Sequence, residues 1–332
     1  MAENSHEIRQ SVMIGDTSDI GIHRGLRILR NEGINPVVSM EFASSDYGVL
    51  CGLEETKVLL HKVLPESNRE VWALDEGDHI SPGEVVLRVT APYGTFGLYE
   101  NSINGILSSS SGWASAAREC VTAAEGIPII AIPARYVHPN VANLVDYSSI
   151  VGGCVSCSTI LGARISGTNP ASTISPNIAL IIGDTLRTMI AFDKHIPQET
   201  PRIAPASVLR DEIEESLNLA ESLKQKLRGV VLNGYHNGGS VNPQLVKELR
   251  ARLNLAGHTH VEIIVSGLLT PESITEFVDE DTPVNAFEIG EYIGGSSSLS
   301  FSSSIHEIDG NPAAIRGTIP GLTDNPRLAQ II

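Results

Sequence analysis

Apolar residues recur along this chain with two different spacings, and the change between them divides it. Ile127 to Ile132 is a continuous apolar run, the pattern of a strand buried on both faces of a parallel sheet. It ends in a polar cluster, Ala134-Arg135-Tyr136-Val137-His138-Pro139. Residues just past the carboxyl ends of parallel strands line the ligand site in α/β folds, which gives Arg135 and His138 a functional address. Beyond them, Ile213, Leu217, Ala220, Leu223 and Leu227 recur at helical spacing over Asp211 to Arg228, just ahead of the short strand Gly229 to Asn233. Asn242 caps a further helix with Pro243 at its first position and Leu245, Leu249 and Leu253 on one face. Strands over Val261 to Ser266 and Val284 to Ile289 follow, with Thr270-Pro271-Glu272 opening the helix between them. Repeated strand and helix units of roughly 20–35 residues predict a parallel sheet, most simply a barrel.

The amino-terminal third reads differently. Asp16-Thr17-Ser18-Asp19 caps a basic helix in which Ile20, Leu26 and Leu29 alternate with Arg24, Arg27 and Arg30, for which a solvated face is the plainer reading. Strands are expected over Val37 to Phe42, Val71 to Asp75 and Val85 to Val89, with a helix over Gly48 to Val63. Asn101 to Ala124 reads as one or two helices despite the serine run Ser108 to Ser111, which a flexible linker would also explain. Strand-like alternation returns in Ser303 to Ile308, before a turn at Asp309-Gly310-Asn311, as if the tail rejoined the first module. The expected domains are 1–126, 127–295 and a tail, 296–332.

Composition narrows the function without naming it. A chain of 332 residues with 42% hydrophobic content can bury a sizeable core, and no apolar run of about 18 residues is present to span a bilayer. Met1 to Gln10 lacks the apolar core of a secretory signal, so a cytoplasmic location is expected. A formal charge of −16 disfavours nucleic acid as a partner, since phosphate backbones are met by clustered Lys and Arg. Cys154 and Cys157 have the C-x-x-C spacing of a redox or zinc half-site, but no second pair completes it and buried thiols are the plainer reading. No metal ligand is assigned.

Several short pieces nevertheless fall in a telling order: Asp75-Glu76-Gly77, Phe96-Gly97 with Glu100, Ser110-Ser111-Gly112, Arg135 with His138-Pro139, Asp146-Tyr147 with Gly152-Gly153-Cys154, Gly183-Asp184 with Ala191-Phe192-Asp193, Val265-Ser266-Gly267, and Asp309-Gly310 with Arg316-Gly317. In that order the chain resembles nicotinate phosphoribosyltransferases of the archaeal and bacterial type over nearly its whole length. The resemblance implies an irregular α/β barrel of the type II phosphoribosyltransferase kind, with an α+β amino-terminal domain completed by the carboxyl-terminal tail. It also implies a homodimer or higher oligomer with sites near subunit boundaries. The parent reaction is attack of nicotinate on C1 of phosphoribosyl pyrophosphate, aided by Mg²⁺, with release of pyrophosphate. Arg135 and His138 stand where such a family holds anionic substrates, and Arg24 matches an arginine carried across the dimer.

The departures fall at strand ends. Pro176 replaces a histidine, with Asn177 beside it; an Asp-Thr pair becomes Ser207-Val208; and an Arg-Leu-Asp-Thr strand end becomes Val231-Leu232-Asn233-Gly234. The basic pair expected next has no counterpart in Tyr235 to Gly239, Leu268 replaces a glycine, Gly21 replaces an aromatic residue, and the phosphate turn around Gly290 carries Glu288 and Glu291. A wall of Pro176, Val208, Val231, Tyr235, Leu268 and Tyr292 is expected to suit a less anionic or cationic small molecule. On this reading His138 and Asp184 are the catalytic candidates, and Arg24, Arg135, Arg187, Asn177, Asn233, Tyr235, Ser266, Gly267 and Glu291 bind substrate. The resulting expectation is an enzyme with a remodelled site acting on a small heteroaromatic or amine. A conventional nicotinate enzyme and a noncatalytic partner subunit are the alternatives.

Overall fold

A computed structural model describes residues 6–234 and 241–332. The chain forms two compact units, one from the segments up to Ser115 and from Ser296 to Ile332, the other from Ala116 to Gly295.

In the first unit, β1 (Val37–Ser44), β3 (Glu70–Ala73) and β5 (Val85–Pro92) form an antiparallel sheet, while the short strands β2 (Gly48–Val49) and β4 (His79–Ile80) pair separately. Alternation along β1 gives the sheet its two faces. Met40 and Phe42 enter the core with Leu59, Leu60, Leu87 and Phe96. Ser39 and Glu41 belong to the opposite alternation, where Glu41 is paired across the sheet with Arg88 by Nε at 2.8 Å.

The region expected to be one helix over Gly48 to Val63 is instead strand β2, a turn, and a helix over Leu53–Val63. The break is at Gly52, whose φ of 99° lies in the left-handed region that L side chains avoid. No side chain at Gly52 can cap the helix, so a distant carboxylate does it: Glu76 accepts from the N–H groups of Gly52 and Leu53, both at 2.8 Å. The serine run proves to lie inside a single helix, Glu100–Ala123. Ser111 accepts from Cys51 N at 3.0 Å and Ser115 from Val49 N at 2.8 Å, so these hydroxyls satisfy backbone donors in and just after strand β2. Gly112 is just as constrained, since a Cβ there would come 2.3 Å from Ser297 O. Because the first half of this helix serves the first unit in this way, the boundary between units falls inside it at Ser115, not at residue 126.

The second unit is a parallel half-barrel. Its strands are β6 (Ile129–Ala131), β7 (Ser156–Cys157), β8 (Ile203–Pro205), β9 (Gly229–Asn233), β10 (Glu262–Gly267) and β11 (Ala286–Ile289), in the order β7-β6-β11-β10-β9-β8. The barrel is irregular because the edge strands β7 and β8 do not pair with each other among the described residues. The helix caps expected from sequence are present: Asn242 accepts from Leu245 N at 2.9 Å, and Asp211 and Thr270 cap their helices.

Past Gly295 the chain returns to the first sheet, where β12 (Phe301–Ile308) pairs antiparallel with β1, β13 (Asn311–Pro312) extends it, and β14 (Ala329–Gln330) pairs with β3. The tail is pinned by polar contacts as well. Thr323 N donates to Glu41 at 3.1 Å, and His306 Nδ1 lies 2.9 Å from Gly321 O. No described helix is long and apolar enough to cross a membrane.

Glu55, on the first turn of helix Leu53–Val63, shows the cost of packing acids beside Glu76. Burial pushes its carboxyl up to about 7, with Glu76 adding to the shift and Arg9 opposing it. A carboxyl raised in the folded state stabilises at low pH, and that contribution is lost as pH rises from about 4.5 through about 7. Glu55→Gln is therefore expected to leave thermal stability near pH 5 almost unchanged and to raise it at pH 8. With screening at this partly exposed position, the gain is on the order of 2 kcal/mol at most. Melting curves of both proteins at the two pH values check this; equal differences at pH 5 and pH 8 would contradict it.

Candidate functional site

Parallel pairing sets neighbouring strands in register, so residues two apart on each strand form successive layers on one face. Val231 of β9, Ile264 of β10 and Ala286 of β11 form one such layer, packed with Ile130 and Ile203. Two residues further toward the carboxyl ends stand Asn233, Ser266, Glu288, Ile132 and Pro205. All five line one cavity of about 410 Å³. Ser266 is paired in register with Asn233 on one side and with Glu288 on the other. The cavity is thus the next layer above an apolar plug, completed by Ala134, Arg135, Ser158 and the segment Ser172 to Pro176.

Glu288 is 5% exposed. Burial raises its carboxyl above the usual carboxylate range, while the Ser266 hydroxyl and the Arg135 charge pull it back. The hydroxyl helps little, since Ser266 Oγ lacks a hydrogen bond of good geometry. Arg135 ends a short turn, Pro133–Arg135, and is exposed on the cavity wall.

Two buried groups hold the wall from behind. Asp146 is fully buried, accepts from Thr159 N at 2.8 Å, and so fixes the segment that carries Ser158 into the cavity. Burial raises its carboxyl too, against hydrogen bonds from Thr159. Gly162 must remain glycine-like for this contact, because a Cβ would lie 2.4 Å from that of Asp146. Ser207 sits in the left-handed region with φ 66°, and its hydroxyl donates to Asn233 O at 3.1 Å. Val208 N donates to buried Glu215 at 2.9 Å, so the Ser207-Val208 pair holds the end of the β8 segment rather than lining the cavity.

Of the residues expected from sequence, Arg135, Asn233 and Ser266 converge on the cavity, with Pro176 and Val231 from the expected new wall. Gly267, at φ 129°, follows Ser266 and leaves room beside Asn233 Oδ1, which a Cβ would meet at 3.6 Å. The others are placed elsewhere. His138 accepts from Asn140 N at 3.1 Å and caps the turn Pro139–Val141. Asp184 caps helix Thr185–His195, accepting from Arg187 N at 2.7 Å, with Arg210 3.6 Å from its other oxygen. The Arg187 side chain is exposed on that first turn, and Asn177 is exposed on helix Pro176–Ile182. Glu291 is exposed at the start of the short helix Glu291–Gly294, Leu268 is exposed, and the Tyr292 hydroxyl donates to Glu119. Arg24 is exposed on helix Ile20–Asn31 of the first unit, and Tyr235 lies outside the described residues.

Ser158, Ser172, Thr173 and Ser175 also line the cavity, and sequence reasoning did not select them. Glu288 it flagged only as a departure, choosing Glu291 for the site. Counting in twos from Ala286 was the signal available. The four cysteines are buried and form no disulfide; burial pushes the thiols of Cys120 and Cys157 up to about 12 and about 11. Among the described residues no group of three His, Cys, Asp or Glu is placed to hold a metal ion.

A buried carboxyl that resists ionisation destabilises the fold at high pH, so Glu288→Gln is expected to raise the melting temperature at pH 8 by a few degrees and by less at pH 5. Calorimetric melting at both values tests this, and a lower melting temperature at pH 8 would mean that the charged carboxylate is a fold-stabilising group.

Comparison with known proteins agrees with this architecture. Residues 25–111 match the family model for the quinolinate phosphoribosyl transferase N-terminal domain. A nicotinate phosphoribosyltransferase of Mycobacterium tuberculosis is 28% identical over 224 residues, covering 67% of this chain and 47% of the relative. The chain therefore spans about half the length of the curated relatives it matches. The crystal structure of nicotinate-nucleotide pyrophosphorylase from Pyrococcus furiosus superposes with a TM-score of 0.86 at 32% identity, over 97% of this chain and 82% of that one. Human nicotinic acid phosphoribosyltransferase shares the fold, with a TM-score of 0.70 at 17% identity over 92% of this chain and 77% of that one. With a relative this similar along nearly its entire length, and a half-barrel whose strand ends converge on one cavity, the chain belongs to the quinolinate and nicotinate phosphoribosyltransferase family.

Proposed function

We propose that this protein is a phosphoribosyltransferase-like transferase whose strand-end cavity has been refitted for a small heteroaromatic or amine substrate. The observation that carries the reading is Glu288, a buried acid in the wall of a cavity where, among the described residues, Arg135 is the one lining cation. Phosphoribosyl pyrophosphate is held by several cations or backbone N–H donors, because its charge is concentrated on the diphosphate. A carboxylate about 4 Å from a phosphate costs on the order of 4 kcal/mol at the dielectric of a cleft. Hydroxyls and one amide, from Ser158, Thr173, Ser266 and Asn233, can orient a neutral or weakly charged ring but offset little of that repulsion.

Mg²⁺, implied by the resemblance, would meet a single carboxyl among the described residues of the cavity wall. The residues present do not fit a resident metal. Arg135 is the anchor available for a carboxylate or carbonyl on the substrate. A homo-oligomer belongs to the same proposal, with exposed Arg24 offered to a second copy; sedimentation at the 35.4 kDa of one chain would remove that part.

The conventional nicotinate reaction is the second reading, favoured by the retained Arg135 and by the relatives' names. A thermal-shift assay with phosphoribosyl pyrophosphate and Mg²⁺ separates the two. A ligand at about 100 times its dissociation constant adds roughly 2.7 kcal/mol, which is readily seen as a rise in melting temperature. The expected result is no shift, and no pyrophosphate on addition of nicotinate. A clear shift with pyrophosphate release would establish the conventional reaction and end the proposal.

A further inference from the structure

Arg135, on the turn after β6, and Glu288, on the neighbouring strand β11, line the same cavity, and they do not pair. Among the described residues the Arg135 guanidinium makes no hydrogen bond or ion pair, yet it is near enough for its charge to act on the Glu288 carboxyl. Glu288, nine-tenths buried, likewise forms no ion pair. An acid and a base this close in a folded protein ordinarily join, since an unpaired buried carboxyl is costly. Here both line one cavity without joining, with Ser266 next to the acid in strand register and Val231 from the layer below. That arrangement leaves room for a flat molecule to complete both.

We propose that Arg135 and Glu288 form a two-ended selectivity device, and that the cavity takes a heteroaromatic ligand carrying a carboxylate or carbonyl toward Arg135 and, across the ring, a cationic or N–H donor group toward Glu288. This assignment rests on the refitted site proposed above and names its substrate class. The cavity's volume of about 410 Å³ suits a single substituted ring. Discrimination comes from Glu288. A ligand with only an anionic group satisfies Arg135 but strips water from Glu288 without replacing it, and leaving a buried acceptor unpaired costs more than the pair itself contributes. A donor across the ring removes that penalty.

Two probes that differ by one amino group test the device: nicotinate, and 6-aminonicotinate, whose aminopyridine edge lies opposite its carboxylate. Isothermal titration of the full chain at pH 7.5 is expected to show 6-aminonicotinate binding at least about tenfold more tightly, the factor expected when a buried acceptor that would otherwise stay unpaired gains a donor. Glu288→Met, which conserves volume, is expected to reduce the preference below about threefold while its melting curve reports that the fold is intact. Arg135→Ala should weaken both ligands about fivefold or more. Equal or reversed affinities in the unmodified chain, binding of neither probe at millimolar concentration, or an undiminished preference in a folded Glu288→Met would each overturn the assignment. The first two need no variant. Pyrophosphate release from phosphoribosyl pyrophosphate and nicotinate would instead sink the refitted site itself, whereas equal affinities without that release would sink only the role given to Glu288.

Discussion

The register of the parallel half-barrel is the constraint from which the rest follows. Once Val231, Ile264 and Ala286 share an apolar layer, the period of a strand places Asn233, Ser266 and Glu288 in the layer above with no freedom to choose otherwise. A one-residue slip of β11 would turn Glu288 outward and bring Phe287 or Ile289 into the cavity. The apolar plug below therefore does two things: it anchors the strands, and it dries the floor on which the polar layer stands. Dryness raises the stakes of each polar group, which is why one acid changes what such a cavity can hold.

Support for that layer comes from groups that never touch the cavity. Asp146 holds the Ser158 segment through Thr159, Ser207 accepts a strained backbone to tie the β8 segment to Asn233, and Glu215 steadies Val208. Each is a buried or half-buried polar residue with a backbone partner, and together they restrict the strand ends more than packing alone would. The first unit uses the same device. Glu76 caps a helix from outside it, and Ser111 and Ser115 of helix Glu100–Ala123 accept hydrogen bonds from the backbone of Cys51 and Val49.

Family membership does not by itself fix the chemistry of a site. The fold is shared with enzymes that act on nicotinate nucleotides, and a scaffold of this kind hosts different chemistries by changing the residues at its strand ends. Among the described residues, Arg135 and the buried acid Glu288 are the ionisable groups that line the cavity.

Much was legible in the residues themselves. Apolar runs, caps and turn residues are local properties, and so four of the six parallel strands, the helices opened at Asn242 and Thr270, and the return of the tail to a sheet could be read directly, whereas the short edge strands β7 and β8 could not. The address of Arg135 past a buried strand was legible for the same reason. What local pattern could not supply was which polar side chains would face one another. His138 and Asp184 look like catalytic groups in a motif, but each spends its side chain on a helix end, a competition for hydrogen bonds settled only by the folded backbone. Glu288 and Glu291 sit three apart around one glycine and are equally acidic in sequence; only the pairing of β11 with β10 decides that the first is sealed into the wall and the second stands in solvent. Strand and helix identity arises between neighbours in sequence, whereas a site arises between neighbours in space, and register is the physical link from one to the other.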